Sequence, residues 1–376
     1  MTMTAGSPVR PTGRIVDIGV LRKPIALRRP IVGAKGPVTT RSVRLLHLTS
    51  DDDIAGLGEA STVDWLATAA GSAATMAPLL RALGDRIRSD RPTAEDLLLW
   101  TMDDSRPAAL RSALQTALLD IEARRRGVGV AAMLAAGQRE PASSIPLCAL
   151  LGEGDADNMA REASRLVVRG LTCFKVKVGR PDLALDVARV LAVRGAIGQT
   201  AELRLDANGA WSVDQAARAL EAFAVARPQL VEEPLRDAAS VAAMDAAGLV
   251  ALDESVRDEA DLGRAISGGG FSVLVLKLER VGGPLAALAM AAQAARAGIQ
   301  VVFTDSIEST VGRSATVHVA AAVTALASAA PRAIGLGGLA LLEEDVSRDE
   351  ATGGTVAVRS PGLGINIEAL LAGKAG

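Results

Sequence analysis

Residues 171–211 read LTCFKVKVGRPDLALDVARVLAVRGAIGQTAELRLDANGAW, and this stretch decides the fold. It opens on a short run, FKVKVG, in which apolar and charged residues alternate, and closes on a second, LRLDANGAW. Between them, from about Asp182 to Val193, the apolar residues recur at helical spacing. Period-two alternation puts Lys175 and Lys177 on one face of the first strand, and Asp206 and Asn208 stand at the end of the next. Charge at the end of a buried strand is costly unless something partners it, most often a metal or a substrate.

The rest of the chain extends this pattern. Residues 14–140 begin with alternating runs that predict a meander of about three antiparallel strands, followed by helical periodicity ending at Gly127. That order predicts a small α+β domain, preceded by a loose tail over residues 1–13. From residue 141 to 345 short apolar strands alternate with helices, through SIPLCALLG, TCFKVKVG, AELRLDA, QLVEEPL, VALDES, FSVLVLKL, IQVVFTDS and PRAIGLGG. About eight strands at this spacing predict an α/β protein built on a TIM-like (β/α) barrel. Residues 346–376 form a C-terminal segment expected to pack back toward the first domain.

Composition narrows the possible functions. Nearly balanced charge, with a net of -2 and no basic block, argues against nucleic acid as a partner. The uncharged run 314–330 is alanine-rich, slightly short of a membrane span, and reads as a buried barrel helix. The first residues, MTMTAGSPVRPTG, lack the apolar core of a secretory signal, so the cytoplasm is the expected compartment. Cys148 and Cys173 fall in apolar strands, and His47 and His318 lie far apart, so neither pair suggests a disulfide framework or a zinc site. GLGE at 56–59 closes a strand of the first domain, lacks the third glycine and the βαβ setting of a dinucleotide site, and reads as a turn rather than as such a site.

Lysine occurs only at 23, 35, 175, 177, 277 and 374, and arginine supplies every other base. Arginine keeps its proton, whereas lysine can become neutral when desolvated or crowded by other cations. Lysines 175, 177 and 277 are therefore expected to do more than supply charge. Strand ends also carry Asp206, Glu232 and Glu233, Asp253 and Glu254, and finally Asp305, Ser306 and Glu308. Three carboxylates from neighbouring strands, with no histidine or cysteine beside them, suit a hard cation, magnesium first and manganese second. The chemistry this favours is removal of a weakly acidic proton beside a carboxylate, with the cation stabilising the developing ene-diolate. The plainer alternative is a network of structural salt bridges at the barrel mouth.

KVKVG, RLDANGAW, VEEPL, ALDES and LVLKLERVGG, in this order, resemble the muconate-lactonizing subgroup of the enolase superfamily. The resemblance implies a (β/α)7β barrel under an N-terminal capping domain. It implies Asp206, Glu232 and Asp253 as metal ligands, Lys177 as the base, Lys175 as the neighbour that tunes it, and Lys277 on the opposite face. The base-plus-magnesium arrangement is a general example of tuned acid–base chemistry in this superfamily. Asn208, Glu233 and Glu254 look like supports for that centre. VVFTDSIESTVGRSA followed by AIGLGG resembles o-succinylbenzoate synthases, which implies dehydration of a succinyl-hydroxycyclohexadiene carboxylate in menaquinone biosynthesis. Arg204, Thr304, Ser306 and Gly335 are then expected to line the small-molecule carboxylate substrate. Racemases, dipeptide epimerases and muconate-type cycloisomerases of the subgroup are the nearest alternatives, and a catalytically silent metal-binding barrel is one of another class. Asp305 departs from the synthase pattern, and its direction relative to the pocket bears on the assignment. Assembly into a homo-oligomer is compatible with all of these readings.

Overall fold

The computed structural model describes residues 11–33, 36–61, 73–152, 154–242, 244, 248–327, 329–347 and 351–373. Most of the expected tail, and the piece of chain joining the third strand to the first helix, lie outside these residues.

The N-terminal part is an antiparallel sheet of β1 (Ile15–Gly33), β2 (Gly36–Ser50) and β3 (Ala55–Glu59), in that order. Four helices follow, α1 (Ala73–Asp90), α2 (Ala94–Trp100), α3 (Ala108–Arg125) and α4 (Val130–Leu134). Thr93 and Asp96 close α2 with a reciprocal capping box. α3 lies directly on β3, and two glycines of the GLGE sequence permit it. A Cβ on Gly58 would stand 1.9 Å from the Ala113 carbonyl oxygen, and one on Gly56 would stand 2.3 Å from that of Ala117. The motif lies within the expected strand, and its glycines allow close helix packing.

Next come eight parallel strands with a helix or helices between each pair. In chain order these are β4 (Ser144–Leu150), α5 (Ala156–Val168), β5 (Cys173–Lys177), α6 (Leu183–Ile197), β6 (Glu202–Asp206), α7 (Val213–Phe223) and β7 (Leu230–Glu232). They continue with α8 (Ala238–Val241), β8 (Val250–Leu252), α9 (Glu259–Gly268), β9 (Val273–Leu276), α10 (Leu278–Val281), α11 (Pro284–Arg296), β10 (Gln300–Phe303), α12 (Thr310–Ala327), β11 (Ile334–Gly335) and α13 (Gly337–Leu341). The strands pair in sequence from β4 to β10, and β11 pairs with β4. The seam between β10 and β11 is a single parallel bridge, Thr304 to Gly335, rather than a ladder. Leu230, Ala251, Val273, Val275 and Val302 fill part of the interior. The helix expected over 238–247 is described as α8 only, and residues 243 and 245–247 lie outside the described set. The alanine-rich run is α12, buried along most of its length, and among the described residues no helix is long and apolar enough to cross a membrane.

The chain ends with β12 (Ala351–Thr352), β13 (Thr355–Ala357) and α14 (Ile367–Leu371). β13 adds antiparallel to β4, while Asp120 and Arg124 of α3 bond the Leu363 N–H and the Ile365 carbonyl. The C-terminal segment therefore ties barrel and cap together. A second tie lies over the strand ends. Glu59, at the end of β3, accepts from the Ser309 and Gly312 N–H groups and the Ser309 hydroxyl at the start of α12. A carboxylate there matches the positive end of the helix dipole. Arg41 donates to the Ile307 carbonyl and faces Glu279 at 3.6 Å, and Leu27 bridges to Leu342. The sheet of the first domain is thereby held over the mouth of the barrel.

Candidate active site

β5, β6, β7 and β8 lie side by side, and their carboxyl ends bring the expected charges together. Lys177 is registered with Asp206, and Asp206 with Glu232. Asp253 follows β8 directly, and Lys277 follows β9. Asp206, Glu232 and Asp253 are all 3% exposed or less.

Each carboxylate faces a cation. The Lys175 ammonium lies 2.8 Å from Asp206 Oδ2 and 2.7 Å from Glu232 Oε1. Lys177 donates to the same Asp206 oxygen at 2.6 Å and to Asn208 Oδ1 at 2.5 Å. Lys277 bonds Asp253 Oδ2, and Arg280 bonds Asp253 Oδ1 at 2.8 Å and the Asp253 carbonyl at 2.6 Å. Sequence reasoning missed Arg280. Its signal was the spacing in KLER, which returns the arginine toward Lys277 after one turn of α10.

The electrostatics follow from burial and these pairs. Burial alone would raise Asp206, but Lys175 and Lys177 outweigh it and hold the carboxyl well below its usual range. Lys277 and Arg280 do the same for Asp253. Burial, reinforced by Asp206 and opposed by Lys175, pushes Glu232 up to about 8. For Lys175 the loss of water favours the neutral amine, yet Asp206 and Glu232 prevail and the proton is held more tightly than usual.

The supporting residues occupy definite places. Glu233, at φ 44°, turns outward from the ligand row and accepts the N–H groups of Asp253 at 2.6 Å and Ser255 at 2.9 Å. Burial, opposed by the Asp253 N–H bond, raises it to about 7. Asn208, at φ 45°, donates its side-chain amide to Glu254 Oε1 at 3.2 Å, while Glu254 Oε2 is buried without a partner.

Among the described residues no three His, Cys, Asp or Glu side chains converge on one point as a finished metal cage. The reason is visible in the distances: an ammonium, that of Lys175, stands between Asp206 and Glu232 where a cation's charge is wanted. The donor set nevertheless fits a hard divalent ion. Three buried carboxylates stand on successive strands, with Asp206 and Asp253 helping burial to raise Glu232, and oxygen donors are what magnesium or manganese selects.

The expected substrate-lining residues divide. Thr304 is inward, beside Lys277 in the sheet, and its hydroxyl is buried with no hydrogen-bond partner. Gly335 meets it at the seam, where a Cβ would come within 3.0 Å of Thr304 Cγ2. Ser306 is buried, its N–H 3.3 Å from Glu308 Oε2. Arg204 must be corrected. Its guanidinium turns down the barrel, to Gln229 at 2.7 Å, the Ala333 carbonyl at 2.8 Å and Glu202 at 3.3 Å, all at the amino ends of their strands. A fully desolvated arginine needs such acceptors, and meeting them removes it from the mouth. Asp305 also points away from the pocket, accepting the Gly337 N–H at 2.6 Å and the Gly338 N–H at 3.0 Å.

Known proteins resemble the chain across both domains. A muconate cycloisomerase of Acinetobacter lwoffii is 35% identical over 211 residues, 55% of each chain. An o-succinylbenzoate synthase of Thermobifida fusca is 38% identical over 193 residues, 50% of this chain and 59% of that one. These alignments span less than two thirds of either relative. The substrate-liganded L-Ala-D/L-Glu epimerase of Bacillus subtilis superposes with a TM-score of 0.81 at 25% identity, covering 94% of this chain and 98% of that one. Residues 158–370 match the enolase C-terminal domain-like model, and residues 15–135 match the N-terminal domain of mandelate racemase and muconate lactonizing enzyme. The chain is a member of the enolase superfamily.

Proposed function

We propose that the chain is a hydro-lyase of the o-succinylbenzoate synthase type, acting on a succinyl-hydroxycyclohexadiene carboxylate. The observation that carries this reading is the placing of Lys177 and Lys277 on opposite walls of a mouth whose floor is Asp206, Glu232 and Asp253. Asp305 supports it, because its carboxylate is spent on Gly337 and Gly338 and does not repel an anionic side chain in the pocket. So does the free hydroxyl of Thr304, which offers a donor next to Lys277.

Asp206, Glu232 and Asp253 would hold magnesium, or manganese in its place. The ion supplies a positive charge for the substrate carboxylate and for the negative charge that grows on it as the proton leaves. The chain's own residues do the rest. Lys177, the more exposed of the two neighbouring lysines at 35%, takes the proton beside the ring carboxylate and returns one to the departing hydroxyl. Lys175 keeps a fixed positive charge next to it, held by Asp206 and Glu232. Lys277 places its charge over the opposite face of the planar intermediate. Glu233 and Arg280 fix Asp253 from its backbone and its carboxylate.

The same two lysines favour a second reading, a racemase of N-acylated amino acids, since groups on both walls can exchange a proton with either face. One pair of assays separates the two. Purified protein with magnesium is given the cyclohexadiene carboxylate and followed by loss of diene absorbance. In parallel it is given N-succinyl amino acids in deuterated water and followed for exchange at the α-carbon. Turnover of the diene with slow or absent exchange supports the synthase, whereas exchange without diene turnover overturns it in favour of the racemase.

A further inference from the structure

The chain's two cysteines stand side by side inside the barrel. Cys148 on β4 and Cys173 on β5 are partners in the parallel register, and both thiols are free and buried. Cys173 shares the inward face of β5 with Lys175 and Lys177, and the pair packs against Ala333 just before β11. Neighbouring strands lie about 4.8 Å apart, inside the span of about 4.4–6.8 Å between Cα atoms that a disulfide bridges. The two sulfurs are inequivalent. Cys148 is the more accessible, 7% exposed against 1% for Cys173. The proximity of Cys173, helped by Arg204 and Lys175 and opposed by burial, also brings the Cys148 thiol down to about 7, while Cys173 is pushed well up. Cys148 is thus suited to attack and Cys173 to resolve.

We propose that Cys148 and Cys173 are a dithiol site that hydrogen peroxide closes into a disulfide. The Cys148 thiolate attacks one oxygen of peroxide, the O–O bond breaks, and the departing hydroxide takes up the proton that Cys148 released, giving water and a sulfenic acid. The Cys173 sulfur then attacks the sulfenic sulfur, the S–O bond breaks, and the hydroxyl leaves with the Cys173 proton as a second water. Two thiols are oxidised by two electrons and peroxide is reduced to two waters. A small uncharged oxidant is required because Cys148 is 7% and Cys173 1% exposed. Closure would bind β4 to β5 two residues before Lys175, at the foot of the strand that carries both lysines. This inference stands apart from the dehydratase reading.

Folded full-length protein is treated with graded hydrogen peroxide, quenched, alkylated after denaturation and mapped by peptide mass. The expected result is a Cys148–Cys173 cross-linked peptide that dithiothreitol removes. Cys173→Ser is expected to stop at a dimedone-trappable sulfenic acid on Cys148, and Cys148→Ser to leave Cys173 a thiol. Circular dichroism checks that both variants fold, and the wild-type map decides the question even if they do not. Thiols left intact at a dose that oxidises a methionine-containing reference peptide in the same sample, oxidation without a cross-link, or equal oxidation of Cys173 in Cys148→Ser would each overturn the proposal.

Discussion

The ammonium groups of Lys175 and Lys177 lie against one and the same oxygen, Asp206 Oδ2, at 2.8 and 2.6 Å. A single buried carboxylate therefore keeps two ammonium groups together on one strand face. Replacing it with Asp206→Asn leaves the two cations facing each other, Lys175 buried with only Glu232 to pair it and Lys177 half-buried beside it. Removing one partner of a buried ion pair costs about 3–5 kcal/mol, and the variant is expected to lose stability on that scale in urea titration. Magnesium should raise the melting temperature of the wild type and not that of the variant, because a ligand that binds only the folded state stabilises in proportion to its occupancy.

Asp305 gives a contrasting case. Its two oxygens accept the Gly337 and Gly338 N–H groups, and it shares its surroundings with Arg313. Asp305→Ala strands one buried and one half-buried donor, at a cost of about 1–3 kcal/mol. The urea midpoint is expected to fall while KM for the carboxylate substrate stays close to wild type. A large rise in KM with unchanged stability would place Asp305 in the pocket instead.

His318 makes stability depend on pH. Its Nδ1 accepts the Ala131 N–H at 3.0 Å, and burial, opposed by a bond with the Leu363 backbone, lowers its pKa from 6.5 to about 4. An unfolded chain takes up the proton near pH 6, whereas the folded chain resists until pH is near 4. Stability is therefore full above the unfolded pKa and lost as pH falls through this window, by up to about 3 kcal/mol. His318→Leu should be the less stable protein at pH 8, with an unpaired Ala131 N–H, and the gap to wild type should narrow at pH 5. Parallel pH profiles in urea unfolding would contradict this.

Much of the site could be read from the sequence because alternation along a strand and charge at strand ends are local properties. Lys175, Lys177, Asp206, Glu232, Asp253 and Lys277 each declare themselves at the carboxyl end of an apolar run. The direction of a side chain that can point either along or across the barrel is not local. Arg204 sits at an inward position like its registered partner Lys175, but its longer, branched head finds acceptors at the opposite end. The N–H groups that donate to Asp305 come from the start of α13, beyond the next helix, so its chain neighbours give no hint of where it points. Gly56 and Gly58 show the same limit in the cap. Their role depends on α3, which returns to them from more than fifty residues away. Register within the barrel decides all of these, and register follows from the closed arrangement of strands.

The ring of strands sets the central relation. β5 and β9 are four strands apart in either direction, through β6, β7 and β8 or through β4, β11 and β10. Lys177 and Lys277 therefore approach a bound ring from opposite sides. The most direct measurement is steady-state turnover of the succinyl-hydroxycyclohexadiene carboxylate with magnesium by wild type, Lys177→Ala and Lys277→Ala, with folding checked for each. Wild type should turn over, and each variant should lose activity by roughly the 10²–10⁴-fold typical of general acid–base groups, or more. Full activity in both variants would contradict the account.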